Sequence, residues 1–155
     1  MQHLGFQLKQ KLNASGQSIA VAESLTGGHL QAAITSASGS SDYFLGGVTA
    51  YNIDQKTNLL GVDRKHAADV NCVSQQVANQ MAAGVRELFG SDIGLATTGY
   101  AEAWPDGGVE KPFAWIAINV EGRVESTKIE PPIATRVDIQ EAVTQAVLEI
   151  LLKLI

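Results

Sequence analysis

The segment Ala22-Glu23-Ser24-Leu25-Thr26-Gly27-Gly28 has the residue types and spacing to do chemistry. An apolar run, Ile19 to Ala22, leads into Ser24, Thr26 and a glycine pair, and a helical stretch from His29 to Ala37 follows. That order predicts a strand, a tight turn and a helix N-terminus. Such a turn exposes a hydroxyl at the end of a sheet, while the free N–H groups of the helix face an anion. The same geometry suits a nucleophile with its oxyanion hole. A plainer alternative stands beside it: Ser24 or Thr26 can simply cap the helix. A serine hydroxyl also needs a base to take its proton, and a neutral lysine can be that base. An exposed lysine titrates near ~10.4, so neutrality near pH ~7–8 requires the ammonium to be disfavoured by about 4 kcal/mol. Burial against apolar walls supplies this.

The elements that must hold such residues are legible in outline. Leu4, Leu8 and Leu12 recur at helical spacing and stop near Ser15-Gly16. Phe44 to Tyr51 reads as a second strand, after which Asn52 caps a short helix that carries Lys56 and ends at Gly61. Ser74 caps a longer helix with Val77, Met81, Val85 and Leu88 on one face, ending at Phe89-Gly90. Ile93 to Thr97 is a short buried strand, and Phe113–Val120 with Val124–Ile129 flank a turn at Glu121-Gly122. The last helix presents Ile139, Val143, Ala146, Val147, Ile150 and Leu154. Strands interspersed with helices predict an α/β fold, a three-layer α/β/α domain with a mixed, mostly parallel sheet. No internal repeat or linker divides residues 1–155, so a single domain is expected.

A second motif follows the first. Ser38-Gly39-Ser40-Ser41-Asp42-Tyr43-Phe44-Leu45-Gly46-Gly47-Val48-Thr49-Ala50-Tyr51 runs into Asn52-Ile53-Asp54-Gln55-Lys56. Together the two closely resemble the nicotinamide-nucleotide amidohydrolase family, which also forms the C-terminal domain of CinA-type competence/damage-inducible proteins. The family pattern is A-E-S-C-T-G-G, then P-G-S-S-x-Y-F-x-G-G-V-x-A-Y-S-N-x-x-K, then T-G-x-A-G-P and a glycine-rich loop ending in K-P. The resemblance covers nearly the whole chain.

It implies Ser24 as nucleophile, Lys56 as its base and Tyr51 as an active-site tyrosine. Taken alone, Lys56 reads as a solvated surface lysine; its match to the family's catalytic lysine reverses that. Tyr51 could donate its hydroxyl to the Ser–Lys pair, stack on a nicotinamide ring, or simply pack. Thr26, Gly27 and Gly28 offer backbone N–H groups for an oxyanion or a phosphate, and the sequence leaves both open. Thr98 and Gly99 match the family's T-G and imply substrate contact, as does Arg136 on the last helix. Glu23 is expected to order the turn by a backbone hydrogen bond. The loop from Tyr100 to Lys111 reads as a flexible lid.

Three departures mark this chain. Leu25 replaces the usual cysteine beside Ser24. Tyr100-Ala101-Glu102-Ala103-Trp104 replaces the I-A-G-P segment, bringing a carboxylate toward an expected phosphate site. Gln140 stands where the family carries a second arginine, four residues after Arg136. Two readings follow from the resemblance: deamidation of nicotinamide mononucleotide to nicotinate mononucleotide and ammonia, or a weak or inactive nucleotide-binding or interaction paralogue.

Composition bounds the rest. The chain has 155 residues, 45% of them hydrophobic, and a formal charge of −5 with a pI near 5.1. An acidic balance argues against nucleic acid as a partner but not against a small anionic substrate. No basic leader or long apolar stretch predicts a membrane association, and one cysteine, Cys72, fits a reducing cytoplasm. His3, His29 and His66 lack metal-ligand spacing, so no zinc site is expected, and the deamidation that the resemblance implies needs neither a metal nor an organic cofactor. The expected partner is a small-molecule nucleotide substrate, and the family resemblance implies a homodimer.

Overall fold

A computed structural model describes residues 1–155. Five strands form one sheet in the order β2-β1-β3-β4-β5: β1 (Ile19–Glu23), β2 (Phe44–Thr49), β3 (Ile93–Tyr100), β4 (Phe113–Val120) and β5 (Arg123–Ile129). β1 pairs in parallel with both β2 and β3, whereas β4 runs antiparallel to β3 and to β5. Four strands therefore point one way and β4 opposes them. The turn between β4 and β5 falls at Glu121 and Gly122, both at positive φ (52° and 96°), as a tight two-residue hairpin requires.

Helices cover both faces, giving the three-layer α/β/α architecture. One face carries α1 (Gln2–Ser15), α2 (His29–Ile34) and α6 (Arg136–Leu154). Their Leu8, Leu12, Leu30, Ile34, Val143 and Leu148 pack on Ile19, Val21, Ile93, Leu95, Ile116 and Ile118 of the sheet. The other face carries α3 (Ile53–Leu60), α4 (Arg64–Asp69) and α5 (Gln75–Phe89). Here the sheet side chains are small, Ala20, Ala22, Ala96 and Ala117. The reason is close approach by α5: a Cβ on Gly94 would lie 2.2 Å from the Ala82 carbonyl oxygen. That asymmetry seats α5 deep on the sheet and leaves the strand ends open beside α3 and α4.

Several boundaries differ from the expectations. The helix after Gly28 stops at Ile34 rather than Ala37, because Thr35 Oγ1 donates back to the Gln31 carbonyl (2.9 Å) and Ser36 Oγ to that of Ala33 (2.7 Å). β3 continues three residues past Thr97, since β4 pairs with it out to Tyr100↔Phe113 while β1 leaves it at Ala96. Leu88 is exposed rather than part of the apolar face. α4 lay outside the sequence reading altogether. The 100–111 loop has order of its own: Trp104 and Val109 exchange two backbone hydrogen bonds (2.8 and 3.0 Å) around a 3-10 turn at Pro105–Gly107.

Candidate active site

The Ser24 turn begins where β1 ends. Gly27 (φ 58°) and Gly28 (φ 105°) supply the left-handed backbone that turns the chain from β1 into α2. The anion at that helix start is internal: the Glu23 carboxylate, fully buried, accepts the Leu30 N–H at 2.9 Å and the Gln31 N–H at 3.0 Å. Ser24 itself is held from β3, its N–H donating to Thr97 Oγ1 (3.3 Å), which also bonds Thr26 Oγ1 (2.8 Å). A third support comes from α6, where Gln140 Nε2 donates to the Leu25 carbonyl oxygen at 2.8 Å. The turn is thus fixed by three separate elements.

Lys56 approaches from the opposite side. Asn52 caps α3 by accepting the Gln55 N–H (3.0 Å), which places Lys56 in the first turns of the helix with its side chain directed inward. Only 2% of Lys56 is exposed. Its Nζ lies 2.9 Å from Ser24 Oγ and 2.8 Å from the Ala50 carbonyl oxygen. Burial pushes the Lys56 pKa below the ordinary lysine value, opposed in part by the nearby Cys72 thiol group. A neutral amine has one lone pair. With one N–H given to Ala50, that lone pair is free to face the Ser24 hydroxyl, as a base for the serine requires.

The pair opens into a cleft of about 580 Å³. Thr98, Gly99 and Tyr100 of β3 line it, and Tyr51, Glu102, Trp104 and Arg136 stand at its exposed rim. Thr98 Oγ1 donates to the Cys72 carbonyl (2.6 Å), fixing a wall in which Asn71 and Cys72 both adopt positive φ (50° and 62°). At the rim, Arg136 Nη1 bonds Glu102 Oε1 (2.9 Å) and Nη2 donates to the Tyr51 hydroxyl (2.7 Å). No group of three or more His, Cys, Asp or Glu is placed to hold a metal ion.

The sequence-derived residues therefore divide. Ser24, Lys56, Tyr51, Thr98, Gly99 and Arg136 all face one cleft. Tyr51, however, meets Arg136 and not the Ser24–Lys56 pair. Thr26, Gly27 and Gly28 do not line the cleft. The Gly27 N–H is already spent on the Ser24 carbonyl oxygen (3.0 Å), and the Glu23 carboxylate fills the helix start where a phosphate would sit. Gln140 likewise lies outside the cleft, bracing the Ser24 turn. The sequence placed Thr97 at the C-terminal end of a buried strand, where α/β proteins place ligands, but gave it no role; the structure makes it the support of Ser24 and Thr26.

The brace predicts a measurable effect. Gln140→Ala leaves the Leu25 carbonyl without its donor, at a cost of about 1–3 kcal/mol. Thermal unfolding should report a loss of that size. An unchanged unfolding midpoint would mean that the contact does not brace the turn.

Fold and site together define an α/β/α domain with a hydroxyl–amine pair buried at the foot of a cleft. The whole chain, residues 1–155, matches the family model of the CinA C-terminal domain. It is 43% identical over 133 residues to a CinA-like protein of Gloeothece citriformis, covering 83% of this chain and 31% of that protein. A CinA-like protein of Nostoc is 46% identical over 112 residues, 72% of this chain and 26% of the relative. The crystal structure of competence damage-inducible protein A from Klebsiella pneumoniae superposes with a TM-score of 0.92 at 27% identity, covering 98% of this chain and 94% of that one. The competence/damage inducible protein CihA from Agrobacterium tumefaciens gives 0.90 at 28% identity over 99% and 94%. This chain belongs to the CinA C-terminal domain family. The matched stretch spans only 31% and 26% of the length of those two CinA-like relatives.

Proposed function

We propose that this domain is an amidohydrolase that deamidates nicotinamide mononucleotide to nicotinate mononucleotide and ammonia. The observation that carries this is the 2.9 Å contact between Ser24 Oγ and a Lys56 amine whose ammonium form is disfavoured by burial. Ser24 Oγ attacks the carboxamide carbon while Lys56 Nζ takes the hydroxyl proton. The tetrahedral oxyanion needs donors at the turn. The Leu25 N–H is the first candidate, since it follows the nucleophile, lines the cleft and is engaged in no hydrogen bond within the chain. Collapse breaks the C–N bond, and Lys56 returns its proton to the departing ammonia. Water then attacks the acyl ester, Lys56 takes a proton from it, and that proton restores the Ser24 hydroxyl.

One observation favours the second reading, a catalytically weak or inactive interaction paralogue. The rim guanidinium is already occupied by Glu102 and Tyr51, which weakens its grip on a phosphate. The assay that separates the two is ammonia release from nicotinamide mononucleotide by purified protein. Turnover is expected, with a rate that climbs with pH and levels off below the range of an exposed lysine, because only neutral Lys56 accepts the proton. Binding without ammonia release would favour the paralogue.

A further inference from the structure

Glu102 belongs to no part of the chemistry at Ser24, yet it is held at the mouth of the same cleft. Ala101 before it is 3% exposed, and the Trp104–Val109 pairing closes the segment after it. The backbone therefore presents the carboxylate from a fixed position. Arg136 is the only guanidinium lining the cleft. The other cation, Lys56, lies at the buried end and is pushed toward neutrality. At the rim, then, the charges of Glu102 and Arg136 cancel across 2.9 Å.

We propose that Glu102 is a specificity-determining residue: by occupying Arg136, it lowers the preference of the cleft for a phosphorylated over an unphosphorylated nucleoside carboxamide. This rests on the amidohydrolase reading for what lies at Ser24. A phosphate reaching Arg136 must displace the carboxylate and then remain beside its negative charge. An uncharged ribose end meets neither obstacle. The Glu102 and Arg136 side chains are 68% and 43% exposed, so the ion pair is screened and can exchange partners. Glu102 thus tunes affinity without closing the site. Tyr51 serves in the same arrangement, holding the second nitrogen of Arg136 so that the guanidinium keeps facing the cleft.

Calorimetric titration with Ser24→Ala in the background, so that nothing turns over, tests this with three ligands: nicotinamide mononucleotide, nicotinamide riboside and ribose 5-phosphate. Adding Glu102→Gln is expected to tighten both phosphorylated ligands about tenfold, which is ~1.4 kcal/mol. Riboside affinity should stay within about twofold, and a further Arg136→Gln should erase the gain. Raising salt should shrink it. Equal shifts for all three ligands, no shift, or no binding by any of them would overturn the assignment. The ribose 5-phosphate arm is independent of the carboxamide. A gain there, with no ammonia released by the Ser24 protein, would sink the amidohydrolase reading alone. Turnover by the unaltered protein with unchanged ligand preference would sink only the role of Glu102.

Discussion

Ser24→Ala should lower the rate of ammonia release by roughly 10⁴–10⁶-fold, the scale on which serine hydrolases lose activity without their nucleophile. The fold should survive. Ser24 contributes no packing that alanine lacks except the Oγ atom, and its main-chain bond to Thr97 persists because it uses the N–H. The change leaves Lys56 Nζ with Ala50 as its remaining partner, a loss of at most about 1–3 kcal/mol. Ligand affinity should change little, since the rim contacts are remote from Oγ. The diagnostic result is therefore a collapse of kcat with Kd preserved, measured by ammonia assay and calorimetry on the same preparation. A variant retaining half its activity would mean that Ser24 does not attack the carboxamide, and that Lys56 activates water or only binds.

What could be read from the sequence was what is encoded locally. Asn52 and Ser74 cap the helices they precede, and Glu121-Gly122 makes the hairpin, because caps and tight turns depend on a few adjacent residues. The Ser24 turn was legible for the same reason, as an apolar strand meeting a glycine pair. The supports of that turn were not. Thr97 reaches Ser24 only through the β1–β3 register that sets Ala22 opposite Ala96, a pairing between residues far apart in the chain. Gln140 reaches Leu25 across the docking of α6 on the sheet. Tyr51 illustrates the limit most clearly. The family resemblance left it a bond to the Ser–Lys pair, a stack on a nicotinamide ring or plain packing, but it lies two residues past β2 with an exposed ring, and its hydroxyl meets Arg136, a contact decided by where α6 begins. Glu102 looked simply repulsive in sequence; in the fold it has a cation to hold. Tertiary register, rather than residue type, assigned these roles.

Lys56 offers the sharpest test, because its two possible roles differ in sign with pH. As a base it must lose its charge; as an electrostatic anchor it must keep it. Lys56→Arg keeps a charge that does not titrate, so turnover should vanish as completely as in Lys56→Met. Sustained turnover with arginine would make the residue a binder of negative charge. The methionine variant adds a readout free of catalysis. Burial lowers the Lys56 pKa, so the unfolded chain holds this proton more tightly than the folded one. The charged form therefore destabilises the native protein at every pH below the folded pKa. That penalty fades as pH rises from the folded pKa toward the ordinary lysine value, and wild-type stability gains accordingly. Methionine carries no such term. It forgoes the contacts to Ser24 and Ala50 at all pH values, so the absolute difference between the two proteins mixes several effects. The trend does not. The stability of Lys56→Met relative to wild type should be greatest at low pH and should decline steadily into the alkaline range, followed by thermal or urea unfolding at a series of pH values. The acid limb of kcat against pH should level off where that decline sets in, at the folded pKa, since the same folded-state ionisation marks both. A pH-independent difference in stability would mean that Lys56 stays charged in the fold, and the Ser24 hydroxyl would then have no base.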